Sequence, residues 1–271
     1  LCHSTVDDSL TTGIGGRRDG WPNRDLDVGR IISAAPGTSD AQRALVENWG
    51  PGRFDPRLQA FDGTDFITLN KTSVPVLIPP AFGLRRVGLE TYTADGPISY
   101  WNNYVGVTQM GGHGTFIDPR LNLTIPQTPD LVTSKLAALF EYQIRLQAPA
   151  RPPQSFDRAA ANRGERVFSG AARCSSCHTP PTFTDVLNGP DPAVPLLHAP
   201  EEIGISAAYA LRTLTKQYRT SPLRGIWQHP PYFHDGSAED LAAVVDHYDQ
   251  HFSLGLTLRQ KADLVEFLKS L

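Results

Sequence analysis

The sequence predicts a mainly α-helical protein of two domains with long loops. Three observations predict it. A cysteine followed at once by a histidine occurs twice, as Cys2-His3 and Cys177-His178; several segments carry apolar residues at helical spacing behind capping residues; and 23 prolines and 23 glycines in 271 residues leave room for few regular elements.

The N-terminal segment, 1–148, closes on "DLVTSKLAALFEYQIRLQA", where Asp130 follows Pro129 as an N-cap and Val132, Leu136, Leu139, Phe140 and Ile144 share one face. "PARPPQ" then breaks the chain and sets a linker at 149–156. The second domain, 157–271, opens with Asp157 capping "RAAANRGERVF", which runs up to the cysteines. Further on, "SAEDLAAVVDHYDQH" reads as a helix with Ser237 as N-cap and Leu241, Val244, Val245 and Tyr248 on its buried face. The last helix, "LTLRQKADLVEFLKSL", carries a Thr257/Gln260 capping box and an apolar stripe of Ala262, Val265 and Leu268.

Composition excludes some functions. A formal charge of -3 provides no basic footprint for nucleic acid. No run of 18 apolar residues exists, so no transmembrane segment is expected. The only methionine is Met110, which implies a chain that begins after processing or partway into a gene product.

Cys174, Cys177 and His178, in "GAARCSSCHTPPTF", form C-x-x-C-H, the attachment sequence for c-type haem: the thiols add across the vinyl groups and the histidine is placed to ligate iron. A zinc site would want a second ligand pair at compact spacing, and a thioredoxin-like dithiol would want a βαβ context; the sequence offers neither. Cys2 and His3 then sit where the last Cys-His of a second haem motif would sit, with the first cysteine two positions before Leu1, and a single-thioether haem is the minor variant. Two covalently bound c-type haems are expected, each with its own domain. Covalent attachment needs an oxidising, exported compartment, so the protein is expected in the bacterial periplasm or outside the cell.

The helix before Cys174 and the last helix resemble the terminal helices of a class I cytochrome c domain, which cross and pack. "RTSPLRGIWQHPPYFHDGSAEDLAAVVDHY" resembles the C-terminal domain of the bacterial dihaem cytochrome c peroxidases and the related MauG enzymes, over residues 158–271; the first 150 residues resemble them much less. The expected fold is therefore two cytochrome c-like haem domains. In the peroxidases the axial methionine lies where Tyr248 falls, and in MauG-type enzymes that place is a tyrosine, so the resemblance implies Tyr248 as sixth ligand of the second haem, with His234 next. It also implies Arg224 beside a propionate and leaves room for a calcium ion between the domains. His229, His247 and His251 read as surface residues, and His198 as loop surface.

For the first haem no histidine occurs between His3 and His113, so the glycine-flanked Met110 of "VTQMGGHG" is the candidate opposite His3, with His113 next. Trp21, Trp49 and Trp101 read as covers for the porphyrin, and Arg85 and Arg86 as surface residues or propionate partners. Two functions fit. The first, which the sequence favours, is a dihaem cytochrome passing single electrons between periplasmic donor and acceptor proteins. The second is a MauG-like or peroxidase-like enzyme activating hydrogen peroxide at one haem.

Overall fold

The structure is a computed structural model that describes residues 2–61, 66–189 and 194–271. Several of its helices begin where short polar side chains hold the free N–H groups of a first turn. Asp27 caps α1 (Val28–Ser33), and Ser39 with Gln42 forms a capping box on α2 (Asp40–Val46).

Between and around these helices the first half makes four two-stranded antiparallel ladders. β1 (Ser4–Val6) pairs with β2 (Arg17–Asp19), β3 (Arg53–Phe54) with β6 (Val76–Leu77), β4 (Gln59–Phe61) with β5 (Phe66–Thr68), and β7 (Thr115–Asp118) with β8 (Leu123–Pro126). In the last pair Phe116, Leu123 and Ile125 alternate inward against Tyr104 and Val107. Those two come from α3 (Ile98–Tyr104) and from the π-helical turn, Val105–Gln109, that continues it. The first half is thus less helical than its sequence suggests, because its apolar residues fall in runs too short for amphipathic helices.

α4 (Thr133–Ile144) starts where Asp130 accepts N–H bonds from Val132 and Thr133, both at 2.9 Å. Phe140 packs against Ala81, Leu84 and Ile98, while Leu139 is 40% exposed and lies off the buried face where periodicity had put it. No helix or strand occupies residues 149–156.

The second half is helical at its ends. Asp157 caps α5 (Arg158–Ser169) through Ala160 N–H at 3.0 Å, and the Thr257/Gln260 capping box opens α8 (Leu258–Lys269). The two helices cross at Gly164, where an added Cβ would come 2.0 Å from the Asp263 carbonyl oxygen. Only glycine allows that approach. Arg163 closes the crossing with two bonds to Asp263, at 2.9 and 2.6 Å, and Phe168 packs on Phe267 at 5.1 Å between ring centres. The buried face of α8 is therefore Asp263, Leu264, Phe267 and Leu268; of the expected stripe Leu268 is buried, Val265 is half-buried against the same core, and Ala262 is exposed. The ion pair is what lets an aspartate occupy the inner face.

α6 (Pro200–Ile203) and α7 (Leu241–His251) complete the fold. α7 is capped by Asp240, which accepts from Ala243 N–H at 2.8 Å. Ser237 does not cap it, because Tyr232 and Ala238 pair as extended backbone and delay the helix. This helix-rich arrangement with small sheets is compatible with a cytochrome c-like fold.

The two halves meet through main-chain and buried polar bonds. Leu77 N–H donates to the His234 carbonyl at 2.7 Å, Arg53 to that of Asp235 at 3.0 Å, and Arg212 pairs with Asp55 at 2.8 Å. Val76 shares one apolar cluster with Tyr209 and Tyr218.

Candidate functional site

After α5 the chain turns through Arg173, in the left-handed region at φ 52°, into a single 3-10 turn, Cys174–Ser176. The turn brings both thiols and the His178 ring to one wall of a cavity of about 580 Å³. That volume falls in the range of about 300–1,000 Å³ usual for cofactor sites. The His178 Nδ1 donates to the Phe183 carbonyl at 3.0 Å, which fixes the tautomer and leaves Nε2 with its lone pair available to a metal. Burial lowers the His178 pKa and raises those of both thiols, Cys174 to about 11.

α7 and the segment after it form another wall. Tyr248 lines the cavity with its ring stacked on Phe252 at 5.9 Å and edge-on to Phe233 at 5.8 Å. Its hydroxyl makes no hydrogen bond among the described residues. Its pKa is raised, first by burial and then by the two nearby thiols. Helical periodicity alone places this phenol correctly.

His234 also lines the cavity, at 3% exposure, but its ring is already engaged. The Tyr218 hydroxyl donates to Ser206 O at 2.8 Å and so must accept from His234 Nε2, 3.0 Å away. The remaining Nδ1 is buried and unpartnered. Both residues on this cavity therefore keep an atom without a hydrogen bond among the described residues, the Tyr248 hydroxyl and His234 Nδ1.

Three other histidines depart from the sequence reading. His198 is buried, with Nε2 3.1 Å from Asp185 and Nδ1 2.8 Å from Glu202; its pKa is pushed up to about 9, chiefly by the Asp185 bond. The His–Glu spacing of four residues at the start of α6 was the available signal. His229 lines the cavity rather than the surface, and burial pushes its pKa down to about 3. His247 is half-buried, its ring bonded to the Ile203 carbonyl at 3.1 Å; the exposed His251 reaches that of Glu202 at 2.8 Å, so both tie α7 to α6. Arg224 stands at the cavity edge, its Nε donating to Pro181 O at 2.8 Å.

Among the described residues the one group compact enough to hold a metal ion is Cys177, Asp185 and His198. It offers a single carboxylate, whereas Ca²⁺ takes six to eight oxygens.

The first Cys-His pair repeats the chemistry of the second. His3 Nδ1 donates to the Pro79 carbonyl at 2.9 Å, leaving Nε2 available. His3 is exposed at the surface, yet desolvation by its neighbours pushes its pKa down to about 4. Asn23 N–H bonds the Cys2 carbonyl and Gly20 N–H that of His3, both at 2.9 Å, so the pair is held on the hairpin whose neighbour, Pro79, is itself part of the cavity wall.

Met110 is not brought to His3. It is 73% exposed, and its loop is anchored elsewhere: the exposed His113 donates from Nδ1 to the Pro129 carbonyl at 2.8 Å, ahead of α4. Trp49 is buried among Val46 and Leu58 with its indole N–H on Ser73 at 2.7 Å, so it is core. Trp101 packs on Tyr100 and Tyr104, and Trp21 meets Trp227 edge-on at 6.3 Å. Arg85 and Arg86 are exposed.

Two thiols, an oriented imidazole and a phenol on one largely apolar cavity are a donor set that fits haem. The chain is 31% identical over 158 residues to the methylamine utilization protein MauG of Methylorubrum extorquens, across 52% of this chain and 43% of that one. It is 30% identical over 187 residues to the cytochrome-c peroxidase IdrP1 of Denitromonas iodatirespirans, across 52% of this chain and 50% of that one. The chain thus matches about half the length of these curated relatives. A crystal structure of a MauG-like protein associated with microbial copper homeostasis aligns with 56% of this chain and 55% of its own at 21% identity and a TM-score of 0.40. No family model matches. Over about half its length the chain is thus similar to MauG and to a cytochrome-c peroxidase.

Proposed function

We propose that the chain is an exported c-type haem protein with a MauG-like or peroxidase-like redox activity, reducing hydrogen peroxide with two protons and two electrons to two molecules of water. Single electrons are drawn from a protein donor in the same compartment. Tyr248, which lines the same cavity as His178 and whose hydroxyl makes no hydrogen bond among the described residues, is the observation that carries this reading.

When bound, a haem supplies one-electron iron chemistry and, where a coordination position opens, a place for peroxide. This chain's residues would hold it as follows. Cys174 and Cys177 would form the thioethers. His178 would ligate through Nε2, oriented by the Phe183 carbonyl. Tyr248 would stand opposite as a hard anionic ligand or as a hydrogen-bond donor. Cys2 and His3 would take the corresponding roles at a second haem, with the Pro79 carbonyl orienting His3.

The pure electron-carrier reading leaned on Met110 as a thioether ligand and on the absence of a histidine between His3 and His113; Met110 is 73% exposed, which favours the peroxidase-like reading. The test is peroxide consumption by the haem-loaded protein with a reduced donor, compared in wild type and Tyr248→Phe. Peroxide turnover well above that of free haem, altered by the substitution, supports the proposal; turnover at the level of free haem overturns it.

A further inference from the structure

The thioether cysteines lie on one edge of a c-type porphyrin and its two carboxylates on the opposite edge. Those carboxylates meet either solvent or cations of the cavity lining. Arg224 has an exposed side chain, so water already solvates its charge. Two other arginines on the cavity wall behave differently.

Arg24, from the first half, gives Nη1 to the Ile78 carbonyl at 2.7 Å and Nη2 to that of His229 at 3.2 Å, leaving a buried, unpartnered Nε. Arg219, from the second half, gives Nε to Thr91 O and Nη2 to Glu90 O at 2.9 Å, leaving a buried, unpartnered Nη1. Both line the cavity. Burial lowers both pKa values, Arg219 to about 10, yet both stay charged at pH 7. Among the described residues neither forms an ion pair. Glu90 is close to Arg219 but has one carboxyl oxygen without a partner and is itself pushed up to about 7 by burial, so it neutralises the cation only in part. Asp235 is the other acidic group of this neighbourhood, and its carboxylate accepts from Ser237 N–H. Carbonyl dipoles satisfy hydrogen bonds but do not cancel charge. A buried guanidinium at Arg219 and a half-buried one at Arg24, on a largely apolar cavity, are costly unless an anion enters it.

We propose that Arg24 and Arg219 form the carboxylate-binding end of this cavity and seat the propionate groups of the haem held at Cys174 and Cys177. The cofactor then bridges the two halves of the chain: thiols and imidazole from the second half hold one edge, and a cation from each half holds the other. This rests on the haem assignment proposed above.

The test uses the haem-loaded protein and reads the midpoint potential and the propionate bending modes in resonance Raman spectra for Arg24→Lys, Arg24→Leu and Arg219→Gln. Loss of a cation beside a propionate should lower the potential of one haem and shift its propionate mode. The lysine variant should keep the potential near that of wild type. A lower melting temperature with unchanged potential and Raman modes would make both arginines purely structural and overturn the proposal. If the variants instead weaken inhibition by added formate or acetate while the propionate modes stay fixed, the anion is a free carboxylate and the assignment to haem is wrong. Should Arg24→Leu fail to fold, Arg219→Gln alone decides. Absence of covalently bound haem in wild type would sink the underlying reading rather than this one.

Discussion

His3 and His178 make the same bond: each gives its Nδ1 proton to a main-chain carbonyl, Pro79 at 2.9 Å and Phe183 at 3.0 Å, and each keeps Nε2 for something else. An imidazole held in this way is a ready metal ligand, because the tautomer and the ring orientation are set before the metal arrives.

The cysteines beside His178 come first among the tests. Replacing both Cys174 and Cys177 with Ala should abolish peptide-linked haem at this site, read by haem staining after denaturation and by the mass of the peptide spanning residues 174–177. Undiminished haem on that peptide would contradict the assignment.

Tyr248→Phe removes one oxygen from the cavity wall. With a phenolate on ferric iron the variant should show an altered ferric spectrum and a higher potential at one haem, since a hard anion favours the oxidised state. Redox titration with optical detection measures both. Identical curves would make Tyr248 a packing residue.

Met110→Leu, by contrast, should leave both haem spectra and the potentials unchanged, because the side chain is 73% exposed on a loop anchored to the start of α4. A new high-spin signal in this variant would restore Met110 as a ligand.

Gly164→Ala should be strongly destabilising. The added Cβ meets main chain, the Asp263 carbonyl at 2.0 Å, which cannot rotate away. Overpacking of this kind costs about 1–3 kcal/mol. Urea unfolding followed by far-ultraviolet circular dichroism would show the loss, and a variant as stable as wild type would mean that α5 and α8 do not cross so tightly.

His198 predicts a pH dependence. Its folded pKa of about 9 lies above the unfolded value of 6.5, so its stabilisation is full below pH 6.5 and fades as pH rises through 9. The displacement corresponds to at most about 3 kcal/mol. Thermal unfolding between pH 6 and 9.5 should fall more steeply in wild type than in His198→Gln; parallel curves would rule out the ion pairs with Asp185 and Glu202.

Much of the site was legible in the sequence because its signals are local. The C-x-x-C-H motif, the Asp157 and Thr257 caps, and the Leu241–Val244–Val245–Tyr248 face each depend on residues within two turns of one another, where backbone geometry alone sets direction. The full buried face of α8 was not local. Asp263 became the inner residue only because Arg163, 100 positions away, neutralises it and Gly164 lets the helices touch.

What the sequence by itself determined was the donor chemistry, two thiols with an adjacent imidazole, and the helices that carry Cys174 and Tyr248. What only the tertiary structure decided was which distant groups join them. His198 reads as loop surface until Asp185 and Glu202 enclose it, and nothing in the sequence around Arg24 signals that the Ile78 and His229 carbonyls hold it on the cavity wall. The physical reason is that burial and charge pairing belong to neighbours in space. A side chain carries its own hydrogen-bonding capacity in the sequence, but whether that capacity is spent on water, on a carbonyl or on a cofactor is settled by what folds against it.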